Sequence, residues 1–158
     1  LAETGSMFFT PQEVLAEIDR FPAEWQQRTE LTDLRKVMEQ RLRTTVGQPY
    51  VDISAPNADD EAVSLKSVIE NPANKYVLVD FWAAWCGPCR AQAPELEKLE
   101  KETNGTIKIV KVNVDENGDL AMNYGVMSIP SLLVFKNGEL TERTVGLHSA
   151  DELKAMLQ

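Results

Sequence analysis

The chain has 158 residues, 43% of them hydrophobic, so it is long enough to bury one core and to carry an additional segment. Its 25 acidic and 16 basic residues give a net charge of −9 without a basic stripe, which argues against nucleic acid and anionic membrane surfaces as partners. No segment approaches the roughly 20 apolar residues of a membrane span, so we expect a soluble chain.

The N-terminal part is predicted to be helical after a short leader. Residues 1–6 have the character of a tag or cloning remnant, and residues 7–46 form the predicted helical extension. Thr10–Glu13 is a capping-box pattern with proline at the first helical position, and Pro22 separates this helix from a second one. The apolar positions that recur at helical spacing are Val14, Leu15, Ile18, Phe21, Trp25, Leu31, Leu34, Val37, Met38 and Leu42. We expect these stripes to pack onto the rest of the chain, the alternative being a docking face for a partner or a second copy.

A linking region follows the extension. Val46–Ile53 is typical of an extended segment and Asn57–Glu61 of a turn, whereas Val63–Ile69 indicates a short strand that enters a helix. Residue 47 is the predicted first residue of the second domain, which runs to residue 158.

The most informative stretch is an apolar strand that ends at two cysteines. Tyr76–Ala83 is interrupted only by Asp80, and the chain's two cysteines, Cys86 and Cys89, follow it. A CxxC pair serves either as half of a zinc site or in reversible dithiol/disulfide chemistry. Zinc requires two further sulfur or imidazole ligands, and the chain offers only His148, so the pattern favours redox chemistry with no metal.

The residues between the cysteines assign a role to each thiol. Pro88 suits the first turn of a helix and Gly87 allows a close approach, so Cys86 should lie just outside the helix with its sulfur facing backbone N–H groups. That environment favours the thiolate, which makes Cys86 the predicted nucleophile. Cys89 lies one turn inside the helix and suits the resolving role. No cofactor is implied, because the cysteine pair itself stores the electrons.

The C-terminal half predicts an alternation of helices and strands. Pro88–Thr103 reads as a helix, Thr106–Val114 as a buried strand and Leu120–Tyr124 as a short helix. Two strands flank Asn137-Gly138, a strong hairpin signal, and a capping box at Ser149 opens a last helix. This order predicts an α/β fold with a mixed central sheet flanked by helices, and with Cys86 at the carboxyl end of a central strand.

Several of these motifs resemble the thioredoxin family. The stretches that carry the resemblance are Val79–Ala83, Trp85-Cys86-Gly87-Pro88-Cys89, Lys111–Asp115, Ser128–Ser131 and Phe135–Gly138. Lys111–Asp115 resembles the central strand of that family, and the motifs together cover residues 76–158. The resemblance implies a thioredoxin fold and a thiol-disulfide oxidoreductase that mainly reduces protein disulfides and is recharged by an upstream thiol reductant.

The resemblance also implies roles for individual residues. Asp80, a lone carboxylate in an apolar strand whose pKa burial should raise, would handle the proton of the resolving thiol, with Lys111 beside it. Pro130 would be a cis-proline that places the Ile129 backbone beside the thiols, opposite an extended substrate. The active-site loop and substrate contacts would then comprise Trp85, Gly87, Pro88, Ile129 and Pro130, while Trp82 is expected in the core and His148 outside the chemistry.

The front of the chain more loosely resembles the extracytoplasmic TlpA-like oxidoreductases, through the helical preface and the Val46–Ile53 and Val63–Leu65 segments. It departs from them because the insertion they usually carry after the active-site helix has no room here. This resemblance favours the periplasm, and the thioredoxin-like part leaves the cytoplasm open. Open alternatives for function are a disulfide isomerase or oxidase, a thiol peroxidase that lacks the expected Thr-x-x-Cys pattern, and a binding module that uses the N-terminal helices.

Overall fold

A computed structural model describes residues 9–52, 54–56 and 62–157 of the chain. The expected remnant at residues 1–6, the end of the expected extended segment at Ile53 and the expected turn at Asn57–Glu61 lie outside the described residues. The boundary at residue 47 stays a prediction.

Three helices begin the described chain: α1 (Pro11–Arg20), α2 (Ala23–Gln26) and α3 (Thr29–Leu42). The capping box at the start of α1 is confirmed, because the Thr10 hydroxyl accepts the Glu13 N–H and the Glu13 carboxylate accepts the Thr10 N–H at 2.7 Å. α1 packs against α3, and an ion pair of 2.6 Å joins Arg35 to Asp19. The extension therefore forms a helical hairpin with contacts of its own.

The apolar stripes of these helices cover the body only in part. Ile18 and Met38 are buried, whereas Trp25, Leu34 and Val37 remain exposed. The expectation that the stripes pack onto the rest of the chain is therefore only partly correct. The physical reason is that α1 and α3 pack against each other. Part of each apolar stripe therefore faces the other helix and not the body of the protein.

The linking region ends in a small hairpin. Strands β1 (Ser54–Pro56) and β2 (Ala62–Ser64) pair antiparallel, and β2 leads directly into helix α4 (Leu65–Ile69). The Ser64 hydroxyl accepts the Ser67 N–H and caps that helix. The expected strand that enters a helix is confirmed.

A four-stranded sheet forms the centre of the described body, in the order β4 (Ile107–Asn113), β3 (Tyr76–Trp82), β5 (Ser131–Lys136), β6 (Glu139–Val145). β3 pairs parallel with β4 and antiparallel with β5, and β5 pairs antiparallel with β6. The hairpin between β5 and β6 turns at Asn137 and Gly138, both with positive φ, as the sequence predicted. The mixed sheet is confirmed, with β3 as a central strand.

Helices cover both faces of this sheet. Helices α4 and α6 (Gly118–Asn123) lie on one face, and α5 (Gly87–Glu102) and α7 (Ala150–Ala155) lie on the other. The first face buries Leu65, Ile69, Val77, Val79, Phe81, Tyr124 and Leu133, among others. The second face buries Leu78, Leu96, Leu99, Leu132, Ala150 and Leu153, among others. Alternate residues of β3 thus enter two different cores, which explains its continuous apolar run.

Strand β4 departs from the expectation of a buried, central strand. In the part of the chain that the structure describes, β4 pairs only with β3 and stands at the edge of the sheet. Ile107 and Val112 are buried, but Lys108 and Lys111 are exposed. Residues 47–50 of the linking region run along β6, at the opposite edge of the sheet, through the Pro49–Glu139 bridge. Among the described helices, none is long and apolar enough to cross a membrane.

Candidate active site

The two cysteines form a disulfide at the end of the central strand. Cys86 and Cys89 are joined by an S–S bond of 2.05 Å, and their Cα atoms are 5.3 Å apart. Both residues are almost completely buried, with exposed fractions of 5% and 2%. Ala83, Trp82, Val114 and Ile129 pack around them. The pair is thus an oxidised dithiol in an apolar setting, able to accept two electrons and to release them again.

The start of helix α5 positions the sulfur of Cys86. Cys86 is the N-cap residue, Pro88 lies in the first turn, and the Cys86 Sγ accepts the Cys89 N–H at 3.2 Å. A helix N-terminus stabilises negative charge through its free N–H groups and its dipole. The predicted location of Cys86, just outside the helix with its sulfur facing an amide, is therefore confirmed.

A loop on the opposite side of the disulfide presents a backbone carbonyl to Cys86. We call residues 126–130 the proline loop; its Ile129–Pro130 peptide bond is cis, as the resemblance implied. The carbonyl oxygen of Ile129 lies 3.7 Å from the Cys86 Sγ. The Ser131 hydroxyl donates to the Ser128 carbonyl at 2.6 Å and fixes the turn. The structure thus brings together the two sequence motifs that contain Cys86 and Pro130.

Asp80 is buried in β3, the strand that leads to the two cysteines. Its exposed fraction is 1%, and neither carboxylate oxygen has a hydrogen-bond partner among the described residues. Burial raises the pKa of Asp80 to about 6, and the positive charge of Lys111 opposes this rise. Asp80, Leu78 and Trp82 share one face of β3, the face that α5 covers, and Trp82 packs against the cysteines. A carboxylate with this pKa can exchange protons near neutral pH.

Two side chains lie next to the Asp80 carboxylate: Lys111 on the neighbouring strand β4, and Trp82 two residues further along β3. Lys111 is the register partner of Asp80, and its Nζ lies 4.8 Å from the centre of the Trp82 ring. Trp82 is only half-buried, so the expectation of a core tryptophan is correct in part: its ring packs against the cysteines while also facing the lysine.

Exposed apolar side chains lie beside the residues that contact the disulfide. Trp85 is 70% exposed, and its indole N–H donates to the Asp115 carboxylate at 3.0 Å. Met127, in the proline loop, is 79% exposed.

Sequence reasoning identified Trp85 but missed Met127 and two further exposed residues. These are Val145 and Leu147, which flank Gly146, whose N–H donates to the Pro130 carbonyl at 2.9 Å. The signal that the sequence offered for these residues was their apolar character at positions beside Gly146 and close to Pro130.

Sequence reasoning also missed a buried amide that connects α5 to the loop before α7. Gln92 is fully buried, donates to the His148 carbonyl at 2.9 Å and accepts the His148 N–H at 2.8 Å. The ring Nε2 of His148 contacts the Thr144 hydroxyl at 2.6 Å. A glutamine one turn beyond a resolving cysteine carries no sequence signal for such a contact, because its partner lies 56 residues away.

No metal site was found in the part of the chain that the structure describes: no three His, Cys, Asp or Glu side chains there are grouped so as to hold an ion. The redox-active disulfide is the only reactive centre that the described geometry indicates.

Comparison with known proteins gives a consistent picture. Residues 58–158 match the model of the family described as Thioredoxin. The chain is 53% identical over 81 residues to a thioredoxin of Bacillus subtilis (strain 168), covering 51% of this chain and 78% of that protein. It is 41% identical over 99 residues to a thioredoxin of Rickettsia felis, covering 63% of this chain and 91% of that protein.

Solved structures of thioredoxins are also similar to this chain. A mutant thioredoxin from Halobacterium salinarum NRC-1 is 44% identical, with a TM-score of 0.50 over 53% of this chain and 73% of that one. The oxidized form of mitochondrial thioredoxin 3 from Saccharomyces cerevisiae is 31% identical, with a TM-score of 0.52 over 58% of this chain and 83% of that one. The family match begins at residue 58, so the TlpA-like character of the front part stays a prediction.

Proposed function

The chain belongs to the thioredoxin family of protein disulfide oxidoreductases, and from this we propose that its Cys86–Cys89 pair works mainly as a reductant of disulfides in other proteins. The observation that carries the direction of transfer is the burial of the oxidised pair in an apolar cluster. A neutral disulfide loses little there, whereas a thiolate at Cys89, which lies inside α5 and is 2% exposed, would lose its hydration. The fold therefore favours the disulfide form, and a protein that favours its own disulfide gives electrons away.

The first step is attack by Cys86. In the dithiol form, its thiolate attacks one sulfur of the substrate disulfide, the substrate S–S bond breaks, and the departing substrate sulfur leaves as a thiolate that takes a proton from water. The Cys89 N–H and the N-terminus of α5 stabilise the negative charge on Cys86 before attack. The product is a mixed disulfide between Cys86 and the substrate.

The second step is release by Cys89. Its thiol gives a proton to the Asp80 carboxylate, and the resulting thiolate attacks the Cys86 sulfur. The mixed disulfide breaks, the second substrate thiolate leaves, and the Cys86–Cys89 disulfide forms, so that two electrons have passed to the substrate. Lys111, whose charge lowers the pKa of Asp80, favours the ionised carboxylate at neutral pH.

The proline loop supplies the proposed backbone contact for the substrate. The Ile129 carbonyl, 3.7 Å from the Cys86 sulfur, is placed to accept an N–H from an extended substrate chain. Trp85, Gly87 and Pro88 provide the surface next to the reacting sulfur, and all three are exposed. Protein disulfides are the proposed substrates, and an upstream dithiol reductant is proposed to restore Cys86 and Cys89.

The reduction potential tests the direction of transfer. Trp82 and Trp85 report on the disulfide by fluorescence in defined thiol redox buffers, and a Trp25→Phe variant removes the signal of the tryptophan in α2. We expect a value near the reducing end of the disulfide-exchange proteins, about −270 mV. A value near the oxidising end, about −120 mV, would exclude the reductant role and favour a disulfide oxidase or isomerase.

Single cysteine variants test the assigned roles. Cys89→Ser should accumulate a mixed disulfide with disulfide-bonded protein substrates, seen as a shift on non-reducing gels, because the resolving thiol is missing. Cys86→Ser should accumulate none. Equal trapping by both variants would refute the assignment of nucleophile and resolving thiol. The periplasmic location stays a prediction.

A further inference from the structure

An arginine on strand β6 connects the N-terminal extension to helix α6. The Nη2 of Arg143 donates to the Thr44 carbonyl at 3.2 Å and also to the Tyr124 carbonyl. Thr44 lies just after the end of α3, and Tyr124 is the C-cap residue of α6. Arg143 stands opposite Leu133 in the β5–β6 register and so lies on the face of the sheet that α6 covers.

Two further contacts join α3 and α6 at the same place. The Gln40 amide donates to the Asn123 side chain across the two helices. The Arg41 side chain lies over Gly125, whose φ of +61° ends α6, and a Cβ at Gly125 would come within 3.3 Å of the Arg41 Cγ. The extension is therefore held against the last turn of α6 by polar contacts and by a close approach that glycine permits.

The guanidinium of Arg143 has no carboxylate partner among the ion pairs of the described residues, and its Nε is buried without a hydrogen bond there. Its two acceptors are instead carbonyl groups at the ends of α3 and α6. Helix C-termini carry partial negative charge, so a single cation can hold both. Arg143 is half-buried, and the partial loss of hydration costs free energy that its two carbonyl contacts offset in part.

The C-terminal end of α6, which these contacts hold in place, leads directly into the proline loop. Tyr124 is anchored a second time through its hydroxyl, which donates to the Val51 carbonyl at 2.6 Å and accepts the Val51 N–H at 3.0 Å. The proline loop begins two residues after Tyr124. Its other end is tied to the residue that follows β6, three residues beyond Arg143, where the Gly146 N–H donates to the Pro130 carbonyl at 2.9 Å. Arg143 and Gly146 thus hold the chain at the two ends of the loop.

We propose that Arg143 is a positioning residue for disulfide exchange, which sets the place of the Ile129 carbonyl opposite Cys86 and couples the C-terminal end of α3 to the proline loop. The inference rests on the proposed function, in which the proline loop binds the substrate backbone. It predicts that Arg143 affects protein substrates more than small disulfides, because a small disulfide reaches Cys86 without pairing with the loop.

The test compares the Arg143→Met and Arg143→Lys variants with wild type in the reduction of insulin and of a small aromatic disulfide. The matched control is Arg35→Met, which removes an arginine that bonds Asp19 within the extension. We expect Arg143→Met to raise the KM for insulin roughly 3- to 30-fold. The rate with the small disulfide should change less than about twofold, a Lys side chain should restore part of the KM because it can still donate to a carbonyl, and Arg35→Met should leave both substrates unaffected.

A second pair of variants keeps the proposal testable if Arg143→Met does not fold. Gln40→Ala and Asn123→Ala remove the other α3–α6 hydrogen bond, and each should also raise the insulin KM without slowing the small disulfide. Folded variants with an unchanged insulin KM, or with equal losses on both substrates, would overturn the positioning role. Failure of the wild-type protein to reduce insulin would instead refute the proposed function, so the two failures are distinguishable.

Discussion

Replacement of Asp80 by asparagine should make the folded protein gain stability relative to wild type as the pH rises. Burial raises the pKa of this carboxyl from 3.8 to about 6, so the fold disfavours its ionised form. Below pH 3.8 the carboxyl is neutral in both the folded and the unfolded chain and contributes no difference. As pH rises towards 6, the unfolded chain ionises first and is favoured, and the native protein loses stability until Asp80 ionises in the fold as well.

The size of the effect follows from the two pKa values. A rise of about two pH units corresponds to about 3 kcal/mol of destabilisation when the carboxyl is fully ionised. The free energy that Asp80 removes from the native state is about 0.5 kcal/mol at pH 4, about 1.6 kcal/mol at pH 5 and about 3 kcal/mol at pH 8. The asparagine side chain does not ionise, so the stability difference between Asp80→Asn and wild type should grow along this curve.

The assay is urea unfolding of the oxidised protein from pH 4 to pH 8, followed by fluorescence. Glu100→Gln, which neutralises an exposed carboxylate on α5, is the matched control and should show no comparable pH-dependent gain. The quantity to compare is how the difference in free energy of unfolding between Asp80→Asn and wild type changes with pH. An asparagine that is buried without a hydrogen-bond partner lowers the stability of the variant by an amount that does not depend on pH. A difference that stays flat between pH 4 and pH 8 would refute the reasoning.

Two further substitutions probe the contacts that support the site. Gln92→Leu should lower the free energy of unfolding by about 2 to 4 kcal/mol, because it leaves the half-buried N–H and carbonyl of His148 without their partner; a loss below about 0.5 kcal/mol in urea unfolding would contradict this. Gly125→Ala should cost about 1 to 2 kcal/mol from its φ of +61° alone. The Cβ must also displace Arg41, whereas Gly118→Ala, with open space around it, should be close to neutral. Equal effects of the two alanines would refute the conformational argument.

The parts of the fold that the sequence predicted well are those with local causes. The capping boxes at Thr10 and Ser149 each join residues three positions apart, and both form as expected. The Asn137-Gly138 turn requires positive φ at both positions, and both residues adopt it. Cys86 takes the N-cap position because a proline two residues later begins the helix. In each case the interacting groups lie within a few residues of one another, so the local pattern of residues is sufficient to predict the structure.

The parts that the sequence did not predict depend on contacts between distant residues. Whether β4 is central or at an edge depends on whether another segment pairs with its second side, and residues 47–50 of the linking region pair along β6 instead. Which residues of α3 are exposed depends on how α1 packs against it. The bonds from Arg143 to Thr44 and Tyr124 span 99 and 19 residues, and no spacing rule connects them.

Asp80 and Arg143 show why a stability argument alone does not account for this site. Asp80 faces α5 on one side of the sheet and Arg143 faces α6 on the other. Asp80 is buried and Arg143 is half-buried, so each charged group loses hydration that an apolar side chain would not need. For Asp80, the same substitution that removes the pH-dependent loss of stability also removes the group proposed to take the proton from Cys89. We therefore expect Asp80→Asn to gain stability relative to wild type between pH 4 and pH 8 and yet to be at least about tenfold slower in resolving the mixed disulfide. Stabilisation without slower release would mean that the buried carboxylate is not the proton acceptor, and another group would have to take that role.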